Sequence, residues 1–282
     1  MTAAPDYLVV GHVTRDLRPD GSSVAGGTAT YAALAAERLG LAVGVLTSAP
    51  AGEAVFGGSH RIMLRCKPSE RATTFENVYV GPTRRQYLRA VAAPLSLGDL
   101  PPAWRGAPIV HLGPVAQEVE PSFVTAFANA LVGVTPQGWL RRWDAQGLVS
   151  PVEWESAEMV LERADVVVLS YEDIACRREY LAALVERAKL LVLTVGPEGA
   201  IVYRQRMATR VPAYRVVECD PTGAGDVFAA TFFVRYAETG DALEAARYAN
   251  CAASFVIEAE GASNIPDREQ IAWRLKHGEL RS

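Results

Sequence analysis

The chain has 282 residues, of which 50% are hydrophobic and 21% are charged, so it can bury a large apolar core. Its 28 basic and 32 acidic side chains give a net charge of −4, which excludes the basic surface that binds nucleic acid or an anionic membrane. No apolar run approaches the roughly 20 residues of a membrane span. We therefore expect a small-molecule partner, bound by one domain that comprises residues 1–282.

The cysteines and the first residues of the chain favour a cytoplasmic location. The four cysteines have neither CxxC spacing nor a neighbouring histidine cluster of the kind that binds zinc, and we interpret them as reduced thiols: Cys66, Cys176, Cys219 and Cys251. The N-terminus lacks the basic start and apolar core of a secretory signal.

Short apolar runs alternate with helical patterns along the chain. Five runs rich in β-branched residues are typical of strands buried on both faces of a parallel sheet: 7–11, 42–46, 108–112, 165–169 and 190–195. Helical periodicity covers 28–39, 121–131, 152–163, 178–189, 223–236 and 242–260. This alternation predicts a doubly wound α/β sandwich.

One segment departs from the alternation. Residues 73–92 have a strand-like pattern on both sides of Gly81-Pro82, which predicts two strands joined by a turn. Such a hairpin is either a surface element or a cover for a site, and the pattern alone leaves both open.

The most informative segment is 219–226, Cys-Asp-Pro-Thr-Gly-Ala-Gly-Asp, which is followed by an apolar helical run. A helix that begins here directs its free N–H groups and the positive end of its dipole at one point, which suits a phosphate. Asp226 would repel that phosphate unless it takes a proton from an attacking hydroxyl, as a general base does. The pattern indicates phosphoryl transfer to an alcohol. A carboxylate that only stabilises the helix start is the alternative.

Residues 220–228 resemble the C-terminal signature of the ribokinase/fructokinase-type (PfkB) carbohydrate kinases, with Pro221 in place of a threonine. Gly26 and Gly27, between an early strand and a helix, resemble the family's substrate-binding motif. The resemblance implies a ribokinase-like three-layer αβα sandwich with a mostly parallel central sheet. It also implies that the strands at 73–92 form a small β lid over the sugar site, and it leaves open a homodimer through this lid.

The same resemblance assigns the catalytic and donor residues. Asp226 is the implied general base, and the amides of Gly223, Ala224 and Gly225 stabilise the charge on the transferred phosphoryl group. No P-loop occurs in the sequence, so ATP is expected at the carboxyl ends of the strands. The implied donor-binding residues are Thr194, Gly196, Gly199, Thr222 and Asn250.

The resemblance also indicates cation sites. Relatives often carry Asn-x-x-Glu at the strand end where this chain has Ser170 and Asp173, with Glu172 adjacent. Glu172 and Asp173 are both candidates for organising Mg²⁺, a hard cation that prefers oxygen ligands. Asp220 and Thr222, with carbonyls at 256–261, match the place where many members bind a monovalent cation such as K⁺. The alternative is that these two residues only cap the following helix.

The implied acceptor site lies in the N-terminal half and around residue 140. Asp16 matches the acidic residue that accepts hydrogen bonds from sugar hydroxyls, and Gly26 and Gly27 let the backbone approach the substrate. Tyr31 stands where relatives commonly carry asparagine, so the acceptor differs from plain ribose. The segment 135–141 resembles the version found in myo-inositol kinases, with Thr135 in place of an aspartate, which makes Gln137 and Arg141 candidate contacts.

The predicted function is an ATP-dependent kinase for a small polyol, with myo-inositol favoured. A nucleoside or pyrimidine-alcohol kinase is the alternative, because Tyr31, Phe75 and Tyr79 could stack a base. An inactive, kinase-like metabolite-binding protein is a further alternative, which the retained Asp226 disfavours. A dinucleotide-binding dehydrogenase is disfavoured because no G-x-G-x-x-G follows the first strand.

Overall fold

The computed structural model describes residues 3–53, 56, 61–80, 83–175 and 177–281, so Cys176, Gly81 and Pro82 lie outside the described residues. Within them, the elements in chain order are β1 (Tyr7–Val10), β2 (Thr14–Leu17), β3 (Ser23–Gly26), α1 (Thr28–Arg38), β4 (Val43–Ala49), β5 (Ile62–Pro68), β6 (Thr73–Val80), β7 (Thr83–Ala90), β8 (Ile109–Leu112), β9 (Leu131–Val134), β10 (Arg141–Trp143), β11 (Val149–Pro151), α2 (Ala157–Arg163), β12 (Val166–Ser170), α3 (Arg178–Arg187), β13 (Leu190–Thr194), β14 (Ala200–Arg204), β15 (Met207–Val211), α4 (Ala224–Thr239), α5 (Ala242–Val256) and α6 (Arg268–His277).

A nine-stranded sheet forms the middle layer of the structure, in the order β15-β14-β13-β12-β9-β8-β1-β4-β5. From β13 to β5 each strand runs parallel to the next, whereas β14 pairs antiparallel with both β13 and β15. Helices α1, α4 and α5 cover one face, while α2, α3 and several short 3₁₀ turns cover the other. The predicted three-layer αβα sandwich with a mostly parallel sheet is confirmed.

Alternate side chains of each central strand enter the two apolar layers. In β1, Tyr7 and Val9 pack beneath α1 and α4, whereas Leu8 and Val10 pack on the opposite side. All four side chains are fully buried. Burial of one such apolar side chain stabilises the fold by about 1.5–3 kcal/mol, which is why these strands have no polar face.

Helix α4 is the central helix of one outer layer and carries the predicted catalytic residue in its first turn. It contacts α1, α5 and the central strands, and Val227, Phe228, Phe232 and Phe233 are buried on several of its sides. The helix ends at Gly240, whose φ of 68° is the left-handed conformation that commonly terminates helices. Packing on all sides holds the N-terminus of α4 at the carboxyl ends of the parallel strands.

The strands predicted at 73–92 are present as β6 and β7, and they belong to a larger unit. This second sheet has four strands in the order β3-β2-β6-β7, with β2 parallel to β6 and the other pairs antiparallel. It therefore includes β2, which contains Asp16, and β3, which ends at Gly26. The predicted hairpin is one half of a small sheet whose other half carries acceptor-site candidates.

The predicted helix over 121–131 is wrong. The structure has one 3₁₀ turn, Pro121–Thr125, followed by strand β9, which lies between β8 and β12 in the sheet. The run Leu-Val-Gly-Val of β9 is a short buried apolar stretch, and its pairing with two neighbours outweighs the local helical pattern. The predicted helix over 152–163 is also shorter, because it begins at Ala157. Strands β2, β3, β5, β10, β11, β14 and β15 and helix α6 were not among the predicted elements.

In the described part of the chain, no helix combines the length and apolarity that crossing a membrane requires.

We predict that Gly133→Ala destabilises the protein by about 1–3 kcal/mol, because overpacking a filled core forces its neighbours to move. An added Cβ at Gly133 would lie 2.6 Å from the ring of Phe233. Urea denaturation measures the change in the free energy of unfolding. Gly98→Ala is the matched control, since its Cβ would lie 3.7 Å from the Ser96 hydroxyl. Equal stability of the two variants would contradict this account of the core.

Candidate active site

One cavity of about 1630 Å³ lies between the small sheet, the carboxyl ends of the parallel strands and the N-terminus of α4. Pockets for one small ligand are usually about 300–1,000 Å³, so this cavity has room for two substrates side by side. Most predicted site residues line it: Asp16, Gly27, Tyr31, Gln137, Arg141, Glu172, Asp173, Thr194, Gly196, Gly199, Asp220, Thr222, Gly223, Ala224, Gly225, Asp226 and Asn250. The fold thus brings together residues from both ends of the chain.

Asp226 lies in the first turn of α4, at the part of the cavity where the two sheets meet. Thr28, the first residue of α1, donates its hydroxyl hydrogen to Asp226 Oδ1 across 2.6 Å. Burial raises the pKa of Asp226 to about 6; the Thr28 hydrogen bond and the charge of Arg141 act in the opposite direction, while Asp173 and Asp16 add to the rise. A carboxylate with a pKa near 6 is a stronger base than an exposed aspartate and is still mainly ionised at neutral pH.

The turn before α4 has free amides, as expected for an anion site. Gly223 has a φ of 80°, a left-handed conformation that favours glycine, and the amides of Gly223 and Gly225 form no hydrogen bond within the described residues. The amide of Ala224 differs from the prediction, because it donates to Pro221 O at 3.3 Å. Two free N–H groups therefore precede and begin α4 near Asp226, at the positive end of the helix dipole.

The ring of Tyr31 packs against this turn at Gly223. An added Cβ at Gly223 would lie 2.2 Å from the Tyr31 ring, so ring and backbone are in direct contact. Only 1% of Tyr31 is exposed, and its hydroxyl has no hydrogen-bond partner within the described residues. Burial, with the nearby charges of Asp226, Asp16 and Asp220, raises the pKa of Tyr31. With so little of the ring exposed, Tyr31 offers no free face on which a base could stack, so Tyr31 does not support a nucleoside acceptor.

Asp220 joins the turn to the loop that follows α5. Its two carboxylate oxygens accept hydrogen bonds from the amides of Thr222 and Gly261, each at 3.0 Å. Burial alone would raise the pKa of Asp220, but these hydrogen bonds outweigh it and the pKa lies below its usual value. The two loops are thus held together by the protein's own groups, and a monovalent cation at this place stays a prediction.

The predicted Mg²⁺ residues lie at the end of β12. Asp173 Oδ2 accepts from the amide of Ser170 at 2.9 Å, the Ser170 hydroxyl bonds the amide of Asp173, and Asp173 Oδ1 accepts from Gln137 at 3.2 Å. Asp173 therefore shapes the loop and holds Gln137, while Glu172 is exposed toward the cavity.

The predicted donor-binding turn follows β13. Gly196 and Gly199 form a tight connection between the antiparallel strands β13 and β14, and the Thr194 hydroxyl makes a long hydrogen bond of 3.5 Å to Leu169 O. Asn250 is 6% exposed and its amide nitrogen donates to Val211 O and Pro212 O at 2.9 and 3.1 Å. That amide therefore fixes the end of β15 and is not free to donate to a base.

Two of the acceptor candidates, Asp16 and Gly26, lie on the small sheet. Gly26 pairs with Thr14 across β2 and β3, and an added Cβ there would lie 2.4 Å from Asp16 Oδ2. The space beside Gly26 is thus filled by the Asp16 carboxylate, where the sequence predicted close approach of the substrate. The Arg141 guanidinium lies 6.0 Å from the centre of the Phe75 ring. This contact joins β10 to β6 of the small sheet at the wall of the cavity.

Thr28 is the residue of this site that the sequence reasoning missed. It directly follows Gly27 and is a polar residue at the start of a helix rich in alanine, which is the signal that could have identified it. Its hydrogen bond to Asp226 spans 198 positions of the chain, so only the tertiary structure shows the pairing.

Comparisons with known proteins agree with this geometry. The three-layer architecture with its small second sheet is the ribokinase fold. It is shared with a pyrophosphate-dependent kinase in the ribokinase family complexed with a pyrophosphate analogue and myo-inositol (TM-score 0.76, 22% identity, 95% of this chain and 99% of that one). It is also shared with Arabidopsis thaliana ribokinase complexed with ribose and ATP (TM-score 0.71, 20% identity, 97% and 99%).

Residues 155–269 match the pfkB family of carbohydrate kinases, and the ribokinase fold of the whole chain agrees with this match. A nucleoside kinase of Methanocaldococcus jannaschii is 32% identical over 93 residues, which are 32% of this chain and 31% of that protein. A cytidine kinase of Thermococcus kodakarensis is 26% identical over 82% of this chain and 88% of its own length. The chain thus matches less than a third of the first of these relatives. The family match includes Asp226 but not Asp16, Thr28 or Tyr31.

We predict that Asp226→Asn lowers the rate of phosphoryl transfer by about 10²–10⁴, because an amide keeps the shape of the carboxylate but cannot accept a proton. In the parent protein, kcat/KM should rise as the pH increases through about 6, the pKa of Asp226, because only the ionised form is a base. Turnover of the variant within threefold of the parent would contradict the assignment.

The same variant has an expected effect on stability. The pKa of Asp226 is raised on folding, so its contribution to stability is fully present below the unfolded pKa and is lost as the pH rises through about 6. Asp226→Asn should therefore have a higher Tm than the parent at about pH 8, and the difference should shrink toward about pH 4. This thermal readout needs no substrate. A difference independent of pH would contradict the raised pKa.

Proposed function

We propose that the protein is a kinase that transfers the γ-phosphoryl group of ATP to a hydroxyl of a small polyol, with myo-inositol favoured as acceptor. The observation that carries the proposal is Asp226, held by Thr28 beside the free amides of Gly223 and Gly225 and facing the cavity. A carboxylate in this place would repel a phosphate and weaken its binding. Its presence therefore disfavours a protein that only binds phosphate without catalysis.

The residues suggest a division of labour in the reaction. Asp226 takes the proton of the acceptor hydroxyl while that oxygen forms its bond to the γ-phosphorus, and the bond from this phosphorus to the bridging oxygen of ADP breaks. The amides of Gly223 and Gly225 stabilise the negative charge on the transferred group. The small sheet acts as a lid that excludes water, which would otherwise accept the phosphoryl group.

The acidic side chains fit a weakly coordinated Mg²⁺. Within the described residues, no group of three or more histidine, cysteine or acidic side chains could hold a metal by itself, and Mg²⁺ with a phosphate substrate needs only one or two carboxylates besides water. Glu172 suits this role better than Asp173, because the Asp173 carboxylate already accepts two hydrogen bonds. Bound there, Mg²⁺ would neutralise charge on the donor phosphates.

The polar residues around the acceptor end favour a polyol over a nucleoside. Asp16 accepts hydrogen bonds from hydroxyls and Gln137 and Arg141 donate them, whereas Tyr31, at the wall of the cavity, is only 1% exposed. The side chain of Tyr79 lies outside the part that the structure describes. The myo-inositol in the complex of the pyrophosphate-dependent kinase supports this choice, whereas the nucleoside and cytidine kinases among the relatives support the alternative.

Pyrophosphate is a second candidate for the donor, and one observation favours it. Asn250, predicted to bind the donor, instead donates its amide hydrogens to the end of β15. A phosphoryl donor that has no base would not need a hydrogen bond from the Asn250 side chain. The structural similarity to a pyrophosphate-dependent kinase also supports this candidate. A homodimer through the small sheet stays a prediction, which sedimentation of the protein would check.

The test is a matrix of donors and acceptors. ATP and pyrophosphate are each combined with myo-inositol, ribose, fructose, adenosine and cytidine, and the phosphorylated product is detected by mass spectrometry. We expect transfer from ATP to myo-inositol, at a rate about 10²–10⁴ lower with Asp226→Asn. Good turnover of a nucleoside with inert polyols would reject the acceptor, and transfer from pyrophosphate alone would reject the donor.

We predict that Asp16→Ala raises the KM for the polyol by roughly 10- to 100-fold, since hydrogen bonds to a charged group contribute about 1.5–3 kcal/mol. The KM for the donor should be unchanged, because Asp16 lies on the small sheet. Asp20→Ala is the control: Asp20 lies in the turn between β2 and β3, and its carboxylate binds only Ser22 among the described residues. An unchanged acceptor KM for Asp16→Ala would remove this residue from the site.

A further inference from the structure

Three buried polar side chains form a chain of hydrogen bonds beneath α4. Tyr7 Oη lies 2.8 Å from His111 Nδ1, and His111 Nε2 lies 2.9 Å from Thr135 Oγ1. Tyr7 and His111 have no exposed surface, and Thr135 is 8% exposed. Thr135 follows strand β9 and lines the cavity, so the chain leads from the apolar core to the acceptor end of the site.

The positions of the hydrogens in this chain follow from its surroundings. Among the described residues, the Tyr7 hydroxyl has no hydrogen-bond partner except His111. If His111 Nδ1 carried the ring hydrogen, the hydrogen of the Tyr7 hydroxyl would be buried without an acceptor, which is unfavourable. Tyr7 must therefore donate to Nδ1, which leaves the hydrogen on Nε2. Burial lowers the pKa of His111 to about 3, so the ring is neutral and has one hydrogen only.

This arrangement determines the direction of the Thr135 hydroxyl. Because His111 Nε2 donates to Thr135 Oγ1, the hydrogen of the hydroxyl is not used by His111 and is available to a ligand. Thr135 lies close to the catalytic carboxylate: an added Cβ at Gly113 would lie 3.3 Å from Thr135 Oγ1 and 2.4 Å from Thr28 Cγ2. Thr28 in turn binds Asp226. The two threonines therefore lie on either side of Gly113 at the edge of the cavity.

We propose that Thr135 is a further acceptor-binding residue, whose hydroxyl donates a hydrogen bond to a substrate oxygen near the one that Asp226 deprotonates, and that His111 and Tyr7 are positioning residues that keep it a donor. The proposal rests on the proposed function and deepens it. It selects acceptors with a second hydroxyl beside the reacting one, because a hydroxyl oxygen accepts this bond and a methylene group cannot. Cyclitols and sugars have such hydroxyls.

The kinetic test compares Thr135→Val, which keeps the shape but removes the hydroxyl, with Thr135→Ser, which restores it. With myo-inositol as the acceptor, Thr135→Val should raise the acceptor KM roughly three- to tenfold, the usual effect of one neutral hydrogen bond. The donor KM should not change, and Thr135→Ser should return the acceptor KM toward the parent value. Thr125→Val is the control, because Thr125 is exposed and its hydroxyl binds only Ser122 O among the described residues. An unchanged acceptor KM in Thr135→Val would overturn the proposal.

A second measurement does not depend on catalysis. Imidazole ¹⁵N NMR of the parent should show a neutral His111 with its hydrogen on Nε2, and His111→Gln identifies the signal. Tyr7→Phe removes the phenol that selects this tautomer, so the ring should populate both forms and the acceptor KM should rise. A hydrogen on Nδ1 in the parent would overturn the proposal. If the parent transfers phosphate to no acceptor, the proposed function fails, and the tautomer still tests the inferred direction of the hydrogen bonds.

Discussion

The hydrogen bond between Thr28 and Asp226 is the interaction on which the arrangement of the site depends. It joins the N-termini of α1 and α4, two neighbouring helices that meet the same end of the central sheet. Thr28 follows the strand of the small sheet that ends at Gly26, so the same bond also fixes the end of this strand relative to the Asp226 carboxylate. The side of the cavity formed by the small sheet and α1 is thereby joined to the side formed by α4 through the Thr28–Asp226 hydrogen bond.

The charges around Asp226 explain why this half-buried carboxylate suits the proposed role of a base. Desolvation and the neighbouring carboxylates of Asp173 and Asp16 disfavour its ionised form, while Thr28 and Arg141 favour it. The opposing effects leave the pKa near 6 and not at the much higher value that burial without compensation would give. Arg141 thus has two uses in the proposed site, since it moderates the base and lies where an acceptor would bind.

Several glycines of the site make room for protein side chains. The space beside Gly26 holds the Asp16 carboxylate, the space beside Gly223 holds the Tyr31 ring, and the space beside Gly113 lies between Thr28 and Thr135. Close packing of this kind fixes the positions of polar groups without additional hydrogen bonds. It also explains why Tyr31, predicted from the sequence to contact the substrate, packs against the turn at Gly223.

The sequence by itself determined the features that depend on neighbouring residues. The apolar runs that became β1, β4, β8, β12 and β13, the turn at Gly223 with Asp226 in the next helical turn, and the hairpin of β6 and β7 are all local patterns, and the structure contains each of them. The family signature at 220–228 extended this local information to the fold class, and residues 155–269 match that family. For these features, residues that are close together in the sequence carried enough information.

Only the tertiary structure decided which distant groups meet. The segment at 131–134 became a strand because β8 and β12 pair with it on both sides, and no local pattern records those partners. Thr28 reaches Asp226, and His111 connects Tyr7 to Thr135, across separations of 198, 104 and 24 residues. Asn250 bound the end of β15 because that strand end is adjacent to α5 in the fold. Hydrogen-bond partners, burial and the resulting pKa values depend on these long-range contacts, which residue spacing does not specify.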